Sequence, residues 1–138
     1  MKMYRSMLIC GLLLWATSAM PGCAEDEAVA PVIGECTGDV TVSISVGETV
    51  EISWEPECKL FYLLVEPVGS GSDHWAVISD SVNAIAPPVT YGIVPEGAEL
   101  SRTAEPLEEG KSYDVYLYRW TGPGPHSGVP AGQGVFTR

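Results

Sequence analysis

Positive charge is scarce in this 138-residue sequence, which has 7 Lys and Arg against 18 Asp and Glu. From Cys23 onward the imbalance is larger, because that part carries all 18 acidic residues and only 5 basic ones. Proteins that bind nucleic acid present a basic face to the phosphates, so this balance argues against a nucleic-acid partner. It also argues against direct adhesion to an anionic membrane surface and indicates a solvated, self-repelling protein surface.

Catalytic and metal-binding motifs are also missing. The sequence contains no GxSxG, HExxH or phosphate-binding loop, and no calcium loop of the Asp-x-Asp-x-Asp-Gly kind. Each histidine adjoins one polar residue: Asp73 comes before His74, and Ser127 comes after His126. Neighbouring residues of a strand point to opposite faces, so neither pair is an acid–base dyad. We therefore predict surface histidines and a protein that is not an enzyme, with no catalytic residue, no metal and no cofactor.

The sequence has no apolar run long enough to span a bilayer. Its longest, residues 7–19, falls short of the ~20 apolar residues that a membrane-spanning helix needs. The run follows two basic residues, Lys2 and Arg5, and ends in small residues. This order is typical of a secretory signal, which we predict over residues 1–22.

The end of this signal, "MPGC", resembles the lipobox of bacterial lipoproteins. Gly22 and Cys23 match the pattern, Met20 stands in for the usual leucine, and Pro21 departs from it. The resemblance implies that Cys23 is lipidated, becomes the first mature residue and anchors the protein to the cell envelope. With no aspartate after the cysteine, it further implies the outer membrane of a Gram-negative host. The alternative is cleavage after a nearby alanine and release of a soluble protein.

The number of cysteines favours the lipid anchor. Cys10 leaves with the signal, and three cysteines remain. An unpaired thiol is unusual in an exported protein, where oxidation is the default. Lipidation of Cys23 leaves Cys36 and Cys58 as one disulfide pair. Residues 23–37 are acidic at their start and show no periodic pattern of apolar residues, so we predict that they form a tether. Residues 38–138 are then predicted to form one domain.

The start of this domain predicts a β-hairpin. Apolar residues alternate with polar ones along "DVTVSISVGETVEISW" on both sides of Gly47. Folding the chain about Gly47 places Ile44 opposite Val50. Continuing the same register outward brings Cys36 opposite Cys58, at a distance suited to a disulfide.

Later segments also have the pattern of strands separated by Gly and Pro: "KLFYLLVEP", "HWAVIS", part of "GAELSRTAEP", "SYDVYLYRW" and "QGVFTR". About seven antiparallel strands in roughly one hundred residues predict an all-β sandwich. Two segments further resemble the fibronectin type III family. These are "VEISWEP", with Trp54 as the buried tryptophan of its second strand, and "PLEEGKSYDVYL", with Leu107, Gly110 and Tyr113 as a tyrosine corner. The resemblance implies an immunoglobulin-like fold and a binding or spacer module.

The sequence predicts one candidate binding surface. Side chains of a strand alternate between its two faces, so an inward Tyr113 places Tyr116, Tyr118 and Trp120 on the outer face. A neighbouring strand can add Tyr62 and Leu64 to this face, and an apolar surface patch of this kind often marks an interaction site. The alternative is that aromatic residues merely favour strands and are covered by the tether or a loop. The Gly- and Pro-rich residues 122–134 are a second candidate, as a loop.

These observations favour a lipid-anchored module of the cell envelope that binds a protein or serves structurally. The alternative is a carbohydrate-binding module that uses the aromatic strand face as a stacking platform. Exposed, coplanar rings would favour the carbohydrate.

Overall fold

The computed structural model describes residues 32–123 and 127–138. Within these ranges the chain forms eight strands and no helix: β1 (Thr41–Val46), β2 (Val50–Glu55), β3 (Tyr62–Pro67), β4 (Trp75–Ser79), β5 (Val89–Thr90), β6 (Ala98–Arg102), β7 (Ser112–Trp120) and β8 (Gly128–Thr137). The described part thus offers no helical segment of a length and apolarity that would span a membrane. The predicted signal, Cys23 and His126 lie outside the described residues.

The strands form two antiparallel sheets, one of three strands in the order β1-β2-β5 and one of five in the order β6-β4-β3-β7-β8. The predicted all-β sandwich is therefore confirmed, with one strand more than the seven expected. The additional strand is β5, which pairs Val89 with Ile52 of β2. Its two residues follow Pro87 and Pro88, and so short a segment has too little alternation to be recognised in the sequence.

The core lies between the sheets and is built from alternate residues of the strands. These inward side chains are at most 2% exposed: Val50, Ile52 and Trp54 of β2, Leu63 and Val65 of β3, Trp75 and Val77 of β4, and Tyr113, Val115 and Leu117 of β7. The buried Trp54 indole N–H has no access to water and needs a partner within the protein, so it donates a hydrogen bond to the Cys58 carbonyl at 2.8 Å.

The first hairpin exists, but its predicted register is wrong by two residues. Ile44 pairs with Ile52 rather than Val50, and the ladder closes at Val46 and Val50. The turn is a three-residue connection, residues 47–49, centred on Glu48 and not on Gly47. A shift of two residues keeps every side chain on its predicted face, which is why the apolar pattern could not distinguish the two registers.

The predicted disulfide between Cys36 and Cys58 is confirmed, with a Cα–Cα distance of 4.9 Å. The predicted route to it is wrong, because Cys36 does not continue the hairpin ladder. Glu35 instead forms a parallel bridge with Lys59, and the Cys36 N–H donates to the Lys59 carbonyl at 2.9 Å. Because the Lys59 N–H also donates to the Gly34 carbonyl at 2.8 Å, residues 34–36 are fastened to the domain rather than forming the end of a tether.

The turn before β7 has the geometry of a tyrosine corner. Tyr113 is fully buried, and its hydroxyl accepts a hydrogen bond from the Glu108 backbone N–H at 2.9 Å. Gly110 has a φ of +78°, a left-handed conformation that glycine adopts without strain, and its N–H donates to the Arg138 carbonyl. Leu107 packs against the core.

Candidate functional site

The outer face of the five-stranded sheet carries the predicted surface residues. Tyr62 pairs with Tyr118 and Leu64 with Tyr116 across β3 and β7, so these four side chains lie side by side. All four, and Trp120 at the end of β7, are half-buried, whereas Leu63, Val115 and Leu117 between them are fully buried. The structure therefore brings all five predicted residues to one sheet. We use "aromatic face" for Tyr62, Leu64, Tyr116, Tyr118 and Trp120.

Three rings of the aromatic face make tilted contacts, two with each other and one with the neighbouring Phe61, rather than forming one flat platform. Tyr62 and Tyr118 have ring centroids 5.9 Å apart and planes inclined by 53°. Trp120 packs on Phe61, with centroids 4.8 Å apart and an inclination of 51°. Phe61 was missed by the sequence reasoning, because it precedes β3, where the simple alternation of faces does not hold.

Two tyrosines of this face have a raised pKa. Partial desolvation is the main cause for the Tyr116 hydroxyl, followed by the negative charges of Asp114 and Glu66. Desolvation also raises the pKa of Tyr62, Asp73 adds to the effect, and a hydrogen bond with Ser101 opposes it. A hydrogen bond between the Tyr116 hydroxyl and Glu66 raises the pKa of Tyr116 further, because it favours the protonated phenol.

Beside the aromatic face an open cleft of about 510 Å³ runs along β8, with Asp39, Tyr116, Tyr118 and Gln133 among its lining residues. It forms where the β7–β8 register shifts after Leu117, leaving an extra residue in β8. The carbonyl of that residue, Ala131, accepts a hydrogen bond from the Val40 N–H at 2.8 Å. Two tyrosines, an aspartate and a glutamine thus line one cleft.

One end of the aromatic face is acidic. Glu66 of β3 pairs directly with Asp114 of β7, and both side chains are half-buried on the outer side of the sheet. Directly opposed residues of two antiparallel strands have Cβ atoms about 4.5–5.5 Å apart, where like charges repel. Neither carboxylate takes part in an ion pair with any described residue. We call Glu66 and Asp114 the acidic end.

His74 was predicted to lie on the surface, and this prediction is wrong, because the residue is 6% exposed. One ring nitrogen lies 3.1 Å from the Pro106 carbonyl and the other 3.5 Å from the Glu105 carboxylate, while the ring packs on Tyr113 with centroids 5.2 Å apart. His74, the residue before β4, reaches the interior because Glu105 and Pro106, in the segment that leads to the corner, lie against its ring nitrogens. His74 is therefore a structural residue of the tyrosine corner.

Asn83, which the sequence reasoning did not single out, positions the end of β7. Its side-chain carbonyl accepts from the Trp120 N–H at 2.8 Å, and its amide donates to the Trp120 carbonyl at 3.2 Å. The same amide lies 3.3 Å from the Glu35 carboxylate. Trp120 pairs with β8 on one side of β7, and on the other side the buried Asn83 side chain makes the backbone hydrogen bonds that a strand would make. Through Glu35, Asn83 also links Trp120 to the segment beside the disulfide.

The second predicted surface, residues 122–134 as a loop, is largely wrong. Residues 128–134 belong to β8 and pair with β7. The two arms of the β7–β8 hairpin are still joined just beyond β7, where the N–H and the hydroxyl of Thr121 both donate to the Ser127 carbonyl at 2.9 Å. Residues 124–126 lie outside the described part.

Within the described residues, no group of three or more His, Cys, Asp or Glu side chains is placed to hold a metal ion. Comparison of the chain with protein-family models, with curated proteins and with solved structures finds no match. The aromatic face and its acidic end must therefore be interpreted from their own chemistry.

Proposed function

We propose that this chain is a non-enzymatic binding module of a bacterial cell envelope, anchored through a lipid on Cys23, that presents the aromatic face to a protein partner. One observation carries this proposal. Five apolar and aromatic side chains remain half-buried on one side of a sheet whose other side is the core. Large rings held at the surface by a rigid scaffold are typical of protein-binding sites.

The scaffold supports binding by a preformed surface. β3 and β7, which carry the face, both lie inside the five-stranded sheet, with a strand on either side of each. Asn83 holds the backbone of Trp120, and the disulfide holds the adjoining N-terminal segment. A partner would therefore lose little affinity to ordering of the surface. Trp54 and the tyrosine corner further support our proposal that the sandwich is of the fibronectin type III kind.

Photo-crosslinking tests the binding function. A crosslinking amino acid at Tyr118, in the full chain expressed in its native envelope, should give one saturable adduct with a protein that mass spectrometry identifies. The same amino acid at Glu51, on the exposed side of β2, is the matched control and should not give it. Trp120→Ser should abolish the adduct. An adduct that is equal at both positions, or that survives Trp120→Ser, would refute the proposal.

The anchor is tested independently by the mass of the mature N-terminus. Acyl mass on Cys23, lost together with membrane association in Cys23→Ala, is expected. A mature chain that begins at Met20 or Glu25 without acyl mass would refute the lipid anchor and leave the binding face unaffected.

A carbohydrate-binding module is the second candidate, and the cleft beside β8 favours it. Two tyrosines, Tyr116 and Tyr118, line it, together with Asp39 and Gln133, whose side chains carry groups that can hydrogen-bond sugar hydroxyls. The tilt of 53° between Tyr62 and Tyr118 counts against a long flat stacking platform. Saturable binding of a neutral oligosaccharide that Tyr116→Ala and Gln133→Ala both abolish would establish this candidate instead.

A further inference from the structure

We propose that the partner of the aromatic face is a cationic protein segment, whose Arg or Lys side chains pair with the acidic end and lie over the neighbouring tyrosine rings. This inference rests on the proposed binding function and specifies the chemistry of the partner. It follows from three features of the outer side of the five-stranded sheet.

The first feature is a pair of like charges that no ion pair of the described residues offsets, although a hydrogen bond links Glu66 to the Tyr116 hydroxyl. Glu66 and Asp114 are direct partners across β3 and β7, a position at which opposite charges stabilise a sheet and like charges destabilise it. Most basic side chains of the described residues are engaged elsewhere: Arg102 with Glu105, Lys111 with Glu108, and Arg138 with the carbonyls of residues 47 and 48. A guest cation between the two carboxylates would convert the repulsion into attraction.

The second feature is the position of the tyrosines. Tyr116 lies on the same side of β7 as Asp114, two residues further along, and Tyr118 follows two residues beyond it. A guanidinium group that pairs with a carboxylate and stacks on an adjacent ring gains both an ion pair and a cation–π interaction. Because the carboxylates lie at one end of a row of rings along the same two strands, an extended segment with several basic residues suits the surface better than a single ion.

The third feature is the sign of the surrounding charge. Asp39 lies on the β8 side of the face, in the cleft with Tyr116, and Glu99 pairs with Ile78 on the β6 side. Acidic groups thus lie on three sides of the face, and the one basic residue of β6, Arg102, is paired with Glu105. A second copy of this chain is disfavoured as the partner, since a symmetric contact would place the same carboxylates against each other. An anionic polymer or membrane would meet the same repulsion.

The test measures binding of two labelled peptides, Arg-Ser-Arg-Ser-Arg-Ser-Arg-Ser and the same peptide with Glu for Arg, to the full chain in a neutral detergent. Fluorescence anisotropy should detect saturable binding of the Arg peptide alone, weakening as salt rises. The double variant Glu66→Gln/Asp114→Asn should raise its Kd about tenfold. Tyr116→Leu should raise it about two- to fivefold, the range of an exposed cation–π contact.

A variant with the same change in net charge is the control. Glu51→Gln/Glu55→Gln removes two exposed carboxylates from β2 in the other sheet and should change the Kd less than about twofold, because salt screens such distant charges. An equal loss in both double variants would show only general attraction to an acidic protein. That result, absence of Arg-peptide binding, or binding of the Glu peptide with equal affinity would each overturn the inference.

The crosslinking experiment keeps this inference separate from the proposed function. If the adduct at Tyr118 is lost in Trp120→Ser but persists in Glu66→Gln/Asp114→Asn, the face binds a protein and the cationic partner is wrong. Self-association at the face, or salt-independent binding of a neutral oligosaccharide there, would also overturn the cationic partner. Loss of the adduct in both variants, together with Arg-peptide binding, supports both proposals.

Discussion

Replacement of Tyr113 by Phe separates the two sides of β7. The Tyr113 ring is fully buried and stacks on Phe136, with centroids 5.3 Å apart. Phenylalanine keeps this packing and removes only the hydroxyl that accepts the Glu108 N–H at 2.9 Å. The substitution therefore measures one hydrogen bond of the tyrosine corner.

The expected loss of unfolding free energy is about 1 kcal/mol. An unsatisfied buried partner costs about 1–3 kcal/mol, and the low end applies here because Glu108 is exposed and its N–H can turn to water. For a domain of this size that corresponds to a fall in Tm of about 4 °C. Guanidinium denaturation followed by tryptophan fluorescence, with the disulfide intact, measures the loss.

Tyr118→Phe is the matched control. It removes the same atom from a half-buried ring on the aromatic face, and the change in stability should stay within about 0.5 kcal/mol. If Tyr118→Phe destabilised the domain by about 1 kcal/mol or more and Tyr113→Phe did not, the inward and outward sides of β7 would be assigned the wrong way round. The aromatic face would then be core, and the proposed binding site would be lost.

Three further outcomes test the fold. Cys36→Ala/Cys58→Ala should lower the free energy of unfolding by about 3 kcal/mol, because the disulfide closes a loop over a sequence separation of 22 and so limits the entropy of the unfolded chain. An unchanged guanidinium midpoint would contradict the disulfide. Gly134→Ala should destabilise by about 1–3 kcal/mol, because its Cβ would lie 2.9 Å from a β1 valine; Gly38→Ala, with open space around it, is the control, and equal effects would contradict the close packing of β1 on β8. Burial raises the pKa of Tyr91, so the unfolded chain loses this proton first and stability should fall as pH rises above about 10. Tyr91→Phe should reduce that fall in midpoints measured between about pH 8 and 11, and an identical fall in both proteins would contradict it.

The sequence predicted those parts of the fold that depend on period-two alternation. β7, Ser112–Trp120, has the bounds of the segment expected, and its buried and half-buried residues alternate from Tyr113 to Tyr118. Alternation also brought Tyr62 and Leu64 to the same side as Tyr116. It determines the face of a residue but not its partner, so the hairpin register and the path of residues 34–36 were wrong even though the disulfide was right.

The remaining features could not be predicted because they depend on turns and on side chains that bond backbone at long range. His74 is buried by residues more than thirty positions away, at Glu105 and Pro106. Asn83 reaches Trp120 across 37 positions of sequence. The side chain of an asparagine in a loop usually hydrogen-bonds the backbone of its own neighbours. The residues around Asn83 in the sequence give no sign that its side chain bonds the distant strand β7 instead.

Local rules of sheet stability hold on the inward side of the central strands and fail on the outward side at one place. Val65 pairs with Val115 and Leu63 with Leu117, as a core requires, whereas Glu66 opposes Asp114 on the other side of the same two strands. Two opposed carboxylates add no cross-strand attraction to the sandwich, and Gln or Asn would fit the same positions without repulsion. Departures of this kind without a structural benefit are expected where a surface serves binding. The acidic end adjoins the aromatic residues along the same two strands, so its unfavourable charge and their exposure are best explained together, by a partner that satisfies both.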